Sequence, residues 1–161
     1  VRAFNKMGLP LIVVGDGVER KKLERIAGPN VSILGFQNFK EVKSLMERCR
    51  AFVYAGIEDF GIAPVEAMAA GSPVIAFAKG GLLDTVRYKK DDYSFSTGLL
   101  FELQEVSSLI EAVLWFEEKK LWNSFSSQMI NNWARRFSSE RFNHRFNKLL
   151  LKLWKSHQKL L

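Results

Sequence analysis

The sequence predicts an α/β fold, a parallel sheet with helices on both faces, on three observations. Short apolar runs at Leu11–Val14, 31–36, 51–55, Val74–Phe77 and 97–101 read as strands buried on both faces. Segments with helical spacing separate them, so strand and helix alternate along the chain. Residues 51–77 read as strand, loop, short helix and strand, a βαβ crossover that makes its two strands parallel.

In chain order, residues 1–10 read as the end of a helix and a turn, with Gly8 as its cap. Leu11–Val14 is the first strand, and Gly15-Asp16-Gly17 is its terminal loop. Arg20 stands where the dinucleotide-binding fingerprint of dehydrogenases needs its third glycine, which disfavours that class. A helix over 19–27 ends at Gly28-Pro29-Asn30, and strand 31–36 follows. Phe36 reads as a cap on the core. Val42, Leu45, Met46 and Cys49 give the next helix, 41–49, one buried face.

The stretch from Gly56 to Ala76 organises the rest. Pro64 suits the first helical position, where its missing N–H costs nothing, and Gly71 supplies the left-handed residue that closes the helix. Loops that run from a parallel strand into a helix are where such folds bind ligands, and residues 58–63 form one. Free N–H groups around Gly61 to Val65 and the helix dipole suit an anion, and Gly61 admits a close approach to the backbone. Glu66, placed in the first turn, can accept two hydrogen bonds from a vicinal diol such as a ribose. Each charge-assisted bond contributes roughly 1.5–3 kcal/mol in a partly dry crevice. Taken alone, a glutamate at a helix start is also explained by the dipole.

Beyond Phe77, Lys79-Gly80-Gly81 reads as a flexible turn and residues 88–96 as a polar loop. A helix over 106–116 turns Leu109, Ile110, Val113 and Leu114 inward, another covers 121–137, and Ser138 or Ser139 caps the last. In that last helix Phe142, Phe146, Leu149, Leu150, Leu153 and Trp154 share a face.

Length and a hydrophobic content of 47% fit one globular domain and exclude a disordered chain. Cys49, the single cysteine, cannot form an internal disulfide and reads as a packing residue under a helix; His144 and His157 stand without metal-ligand neighbours, so no metal is expected. No run reaches the ~18 apolar residues of a membrane span, and the run before Gly15 lacks the features of a signal peptide. Residues 135–161 hold eight basic side chains, Lys159 among them, against Glu140 alone, which accounts for the net charge of +7.

Glu58-Asp59-Phe60-Gly61-Ile62-Ala63-Pro64-Val65-Glu66, running on through Ala-Met-Ala-Ala-Gly-Ser-Pro-Val-Ile-Ala to Gly80-Gly81, resembles the signature of the family four retaining glycosyltransferases. The resemblance covers about residues 11–137 and is strongest over 51–86. It implies the carboxyl-terminal, Rossmann-like half of a GT-B fold. By this resemblance Glu66 binds the nucleotide ribose, while Glu58, as the catalytic-site residue, holds the donor sugar with Asp59 and the backbone at Phe60, Gly61 and Ile62. Amides near Ala63 and Pro64 face the diphosphate, and Gly15, Gly35 and Phe36 lie near the nucleobase. Gly80-Gly81 faces the cleft between domains; Asp84 stands where most relatives have a glutamate and receives no role.

The wording of the loop is similar to bacterial O-antigen mannosyltransferases, which act in lipopolysaccharide biosynthesis. The implied co-substrate is GDP-mannose, or otherwise a UDP-hexose, with no cofactor. The implied organisation is a donor domain over 1–137 and a basic amphipathic helix over 138–161, with the first strand, its phosphate-clamping Arg and Lys-Gly, and an acceptor-binding domain lying upstream of Val1. A saccharide or lipid-linked acceptor would bind that upstream domain, in the cytoplasm, and no nucleic-acid partner is expected. The last helix either docks on the other domain or contacts an anionic membrane at the inner face of the plasma membrane. The competing reading is a non-catalytic module whose basic tail holds nucleic acid or membrane; a nucleotide-sugar epimerase shares the architecture but not the spacing of acids.

Overall fold

The computed structural model describes residues 1–90 and 92–158. Lys159, part of the basic tail counted above, lies outside the described residues, as do positions 160–161 of the tail segment.

Strands and helices alternate as the apolar runs require: α1 (Arg2–Met7), β1 (Leu11–Val14), α2 (Arg20–Ile26), β2 (Val31–Gly35), α3 (Phe39–Arg48), β3 (Phe52–Tyr54), α4 (Ile62–Ala69), β4 (Val74–Phe77), α5 (Leu82–Thr85), β5 (Gly98–Phe101), α6 (Val106–Glu118), α7 (Ser127–Ala134) and α8 (Ser139–Gln158). Gly8 closes α1 in the left-handed region at φ 71°, and its N–H bonds the Phe4 carbonyl. Gly71, at φ 92°, does the same for α4, with its N–H on Met68 and the next N–H on Ala67. Asn38 caps α3 and Ser138 caps α8, each through its side-chain oxygen.

Every strand pair is parallel. The strands form two ladders, β1-β2 and β3-β4-β5, so among the described residues β1, β2, β3 and β5 each keep one edge without a strand partner. The consequence is visible in burial: all four residues of β4, paired on both sides, are buried, whereas those of β3 are half-buried and Ile12 in β1 is 51% exposed. Helices α1 and α6 pack together, as do α4 and α7, and layer the strands on both faces. The core runs through Met68, Ile75, Leu82, Phe116 and Ile130.

Four local readings change. In α6 Val113 and Phe116 are buried and Leu109 packs against the core, while Leu114 faces out; Phe116 stacks on Phe125 and lies tilted against Trp122 in the aromatic part of the core. Residues 121–137 break into a 3-10 turn (Leu121–Asn123), α7 and a second 3-10 turn (Arg135–Phe137), with Ser126 capping α7 in the middle. Phe36 is 78% exposed and does not cap the core. Gly80-Gly81 is not a loose turn, since a Cβ on either glycine would run into the Glu58–Asp59 backbone. Cys49 is a packing residue: its thiol lies 3.2 Å from the Met46 carbonyl, and burial pushes its pKa up.

Candidate functional site

The loop between β3 and α4 is built from both sides. Gln104, just past β5, donates to the Ala55 carbonyl at 2.8 Å and fixes where the chain leaves β3. From the other side the Gly81 N–H donates to the Glu58 carbonyl at 2.7 Å. A Cβ on Gly81 would lie 2.6 Å from both the Asp59 carbonyl carbon and the Phe60 Cα, and one on Gly80 would overlap the Glu58 carbonyl. Both glycines are therefore required by close backbone approach, not by flexibility. Gly80 also needs its left-handed φ of 64°.

Gly61 turns this loop into α4. Its φ of 85° and ψ of 68° lie in the left-handed region, and it serves as the N-cap without any side-chain bond. α4 begins at Ile62, so Pro64 occupies the third helical position and not the first. Its missing N–H is still harmless there, since the first intrahelical bond is from Val65 to the Gly61 carbonyl. The free donors at this end are thus the N–H groups of Ile62 and Ala63; Pro64 offers none and the Val65 N–H is spent. Among the described residues no side chain caps them, which leaves two amides and the positive end of the helix dipole open to an anion.

The earlier start also moves Glu66 to the fifth residue of α4, beyond the first turn. The dipole alone then explains it poorly, because that effect fades within one turn. Glu66 sits one turn after Ile62, on the face opposite the buried Pro64, Ala67 and Met68. Its carboxylate, like those of Glu58 and Asp59, is solvent-exposed and has no ion-pair partner among the described residues. Unpaired acids beside a free helix start leave a surface with acceptors for hydroxyls and donors for phosphate.

Glu58 is held by Tyr54, whose hydroxyl donates to its carboxylate. Desolvation first, then the hydrogen bond and charge of Glu58, push the Tyr54 phenol up to about 12. A phenol raised in the folded state contributes stability that is present below its ordinary value of 10.0 and is lost as pH climbs from there to about 12. Spectrophotometric titration of wild type and Tyr54→Phe checks this. The expected difference is one late phenolate transition near pH 12, absent from the variant; a difference that falls at the ordinary value of 10.0 instead would remove the Tyr54–Glu58 contact.

The three residues expected near a nucleobase come from the ends of β1 and β2. The Gly15 N–H donates to the Gly35 carbonyl at 2.8 Å, and Phe36 follows with its ring exposed. Gly15 (φ 124°) and Gly35 (φ 67°) both adopt glycine conformations, and a Cβ on Gly35 would meet the Arg20 guanidinium, which Asp16 and Glu24 hold. Thus the structure joins Gly15 to Gly35 and Glu58 to the Gly81 backbone. The Phe60 ring is edge-on to Phe137 at 5.7 Å. Sequence reasoning missed Tyr54 and Gln104 altogether. The Tyr54–Glu58 spacing was open to view, but only the bend between them makes it a contact.

Among the described residues no group of three or more His, Cys, Asp or Glu side chains could hold a metal ion, and no helix is long and apolar enough to cross a membrane.

The family described as glycosyl transferases group 1 matches residues 2–136. An uncharacterized glycosyltransferase of Methanocaldococcus jannaschii is 37% identical over 107 residues, 63% of this chain and 29% of that protein. An α-1,3/1,6-mannosyltransferase of Candida glabrata is 28% identical over 125 residues, 76% of this chain and 27% of that protein. Among solved structures, HepE of Anabaena in complex with UDP and glucose superposes with a TM-score of 0.73 at 23% identity, covering 92% of this chain and 42% of that one. The chain therefore spans less than half the length of each of these proteins.

Proposed function

Because the chain belongs to the group 1 glycosyl transferases, we propose that it forms the nucleotide-sugar-binding part of a retaining hexosyltransferase, with mannose as the first-choice sugar. The observation that carries this reading is the Gly61 bend, which leaves the Ile62 and Ala63 amides free one turn before the unpaired Glu66. In the proposed complex those amides and the helix dipole meet the donor diphosphate. Glu66 accepts from the ribose diol, Glu58 and the Asp59 to Ile62 backbone receive the sugar hydroxyls, and Gly15, Gly35 and Phe36 border the base. Stabilising the departing diphosphate is then the main catalytic contribution of these residues, as the acceptor hydroxyl attacks the face it leaves.

The mannosyltransferase relative favours mannose. The UDP and glucose of the Anabaena structure make uridine donors the necessary comparison. A two-dimensional NMR titration with GDP-mannose, GDP, UDP-glucose and UDP tests the reading. Shifts confined to residues 58–66 and to Gly35 and Phe36, larger for one base, are expected; no shift at millimolar ligand would overturn donor binding by this chain.

The acceptor, a saccharide or lipid-linked sugar in the cytoplasm, is proposed to bind an upstream domain. One further parallel strand from the same upstream segment is proposed to pair with an edge that these two ladders leave open. Helix α8 is proposed to dock on that domain. Every described residue of α8 is exposed, including the stacked pair Phe142 and Phe146, so its apolar face has no cover. Removing residues 139–161 should leave the melting temperature of the remainder within about 2 °C, since it deletes almost no buried contact. A larger fall would show that α8 packs on this domain after all, and loss of binding to anionic vesicles on truncation would favour the membrane reading.

A further inference from the structure

A cleft of about 570 Å³ lies between α5, β5 and the Arg135–Phe137 turn, apart from the free amides of α4. Leu83, Val86, Leu100 and Trp133 give it apolar walls, and Arg87 and Arg136 also line it. Both arginines rest on one indole: the guanidinium carbon of Arg87 is 5.0 Å, and that of Arg136 4.5 Å, from the centre of the Trp133 ring. Arg87 is further steadied by Phe95 at 5.7 Å. The indole is itself anchored, since its Nε1 donates to the Thr85 carbonyl at 2.8 Å.

Stacking occupies the flat faces of the two guanidinium groups and leaves their N–H edges unspent. Among the described residues neither arginine has a carboxylate within ion-pair distance, although Asp84 lines the same cleft. Gathering two like charges on one ring costs energy, and Asp84, which is not paired with either arginine, offsets at most one of the two charges. An anion between them reverses that sign. Each planar fork can donate to two oxygens at once, and a phosphate offers three acceptor oxygens and up to two negative charges to the pair.

We propose that this cleft binds a phosphate group through Arg87 and Arg136, with the remainder of the ligand against Leu83 and Leu100. The site is distinct from the one assigned to the donor, and its occupant carries its own phosphate. It adjoins the donor loop through an aromatic chain: Trp133 meets Phe137 edge-on at 6.2 Å, and Phe137 meets Phe60 at 5.7 Å. Phosphate reaches such a cleft either on a lipid or on a soluble sugar, and the lining does not depend on which.

The test is a titration of the chain with inorganic phosphate, glucose 6-phosphate and dihexanoyl phosphatidic acid below its micelle concentration, read at the Trp133 indole N–H and the Arg87 and Arg136 side-chain N–H resonances. Millimolar or tighter binding with shifts at these groups is expected. A tenfold preference for the lipid phosphate would name an acyl-bearing source, and one for the sugar phosphate a soluble source. Arg87→Gln with Arg136→Gln should weaken binding at least tenfold while amide resonances outside the cleft stay in place. Arg136→Lys, which keeps charge and loses the fork, should fall between. Absence of shifts with all three probes, or equal binding by the double variant, would overturn the assignment and leave the arginines as a cover for Trp133. Shifts of residues 58–66 with nucleotide, followed in the same samples, report the donor site separately.

Discussion

Gly81→Ala is expected to destabilise the protein by about 3 kcal/mol and to lower its melting temperature by roughly 6–12 °C. Gly81 has an ordinary helical backbone, φ −62° and ψ −13°, so alanine meets no conformational penalty there. On conformational grounds alone the substitution would stabilise by roughly 0.4–1 kcal/mol. The sign reverses because the added methyl would sit 2.6 Å from the Asp59 carbonyl carbon and the Phe60 Cα, and backbone cannot swing aside as a flexible side-chain tip can. The 58–61 loop must then move, and nucleotide affinity should fall together with stability. Gly17→Ala is the control: its Cβ meets nothing within 4 Å, so the melting temperature should hold or rise slightly. Thermal denaturation of the two variants beside wild type settles the matter. An unchanged melting temperature for Gly81→Ala would mean that Gly80-Gly81 does not position the loop.

Glu66→Ala is expected to act in the opposite way, weakening nucleotide binding on the order of a hundredfold with little change in stability. Two charge-assisted bonds to a ribose diol set that scale; their full strength is discounted because the carboxylate is exposed. Stability should hold because Glu66 has neither an ion pair nor a buried surface to lose, and alanine is the better helix former in mid-α4. Glu66→Gln, which keeps one acceptor oxygen, should fall between the two. Calorimetric titration with nucleotide and with the corresponding free base separates the effects: only the ribose-bearing ligand should be sensitive. An unchanged dissociation constant for Glu66→Ala would remove Glu66 from the ribose.

Much of this site is legible without coordinates. Gly61, Pro64 and Gly71 announce a helix and its limits through their own backbone preferences, and Glu58 and Glu66 stand out as acids flanking that helix start. What misplaces the details is register. Moving the start of α4 from Pro64 to Ile62 changes which amides are free and takes Glu66 out of reach of the dipole. That shift follows from Gly61, whose left-handed φ begins the helix at once; a proline is equally content at the first or third helical position, so the sequence around it is ambiguous. Likewise, Gly80-Gly81 reads as flexible until the Glu58 and Asp59 backbone is found against it.

By itself, then, the sequence determined the alternation of strands and helices, their parallel sense, the caps at Gly8 and Gly71 and, between Ser138 and Ser139, that of the last helix, and the acids of the 58–66 segment. All of these rest on preferences that act within a few residues of one another. Only the tertiary structure decided that Tyr54 holds Glu58, that Gln104 and Gly81 clamp the loop, that Phe36 stays exposed, and that Arg87 and Arg136 meet on Trp133. Apart from the Tyr54 bend and the exposed Phe36, these depend on segments distant along the chain. Their approach is set by how strands and helices pack, and no local periodicity encodes it.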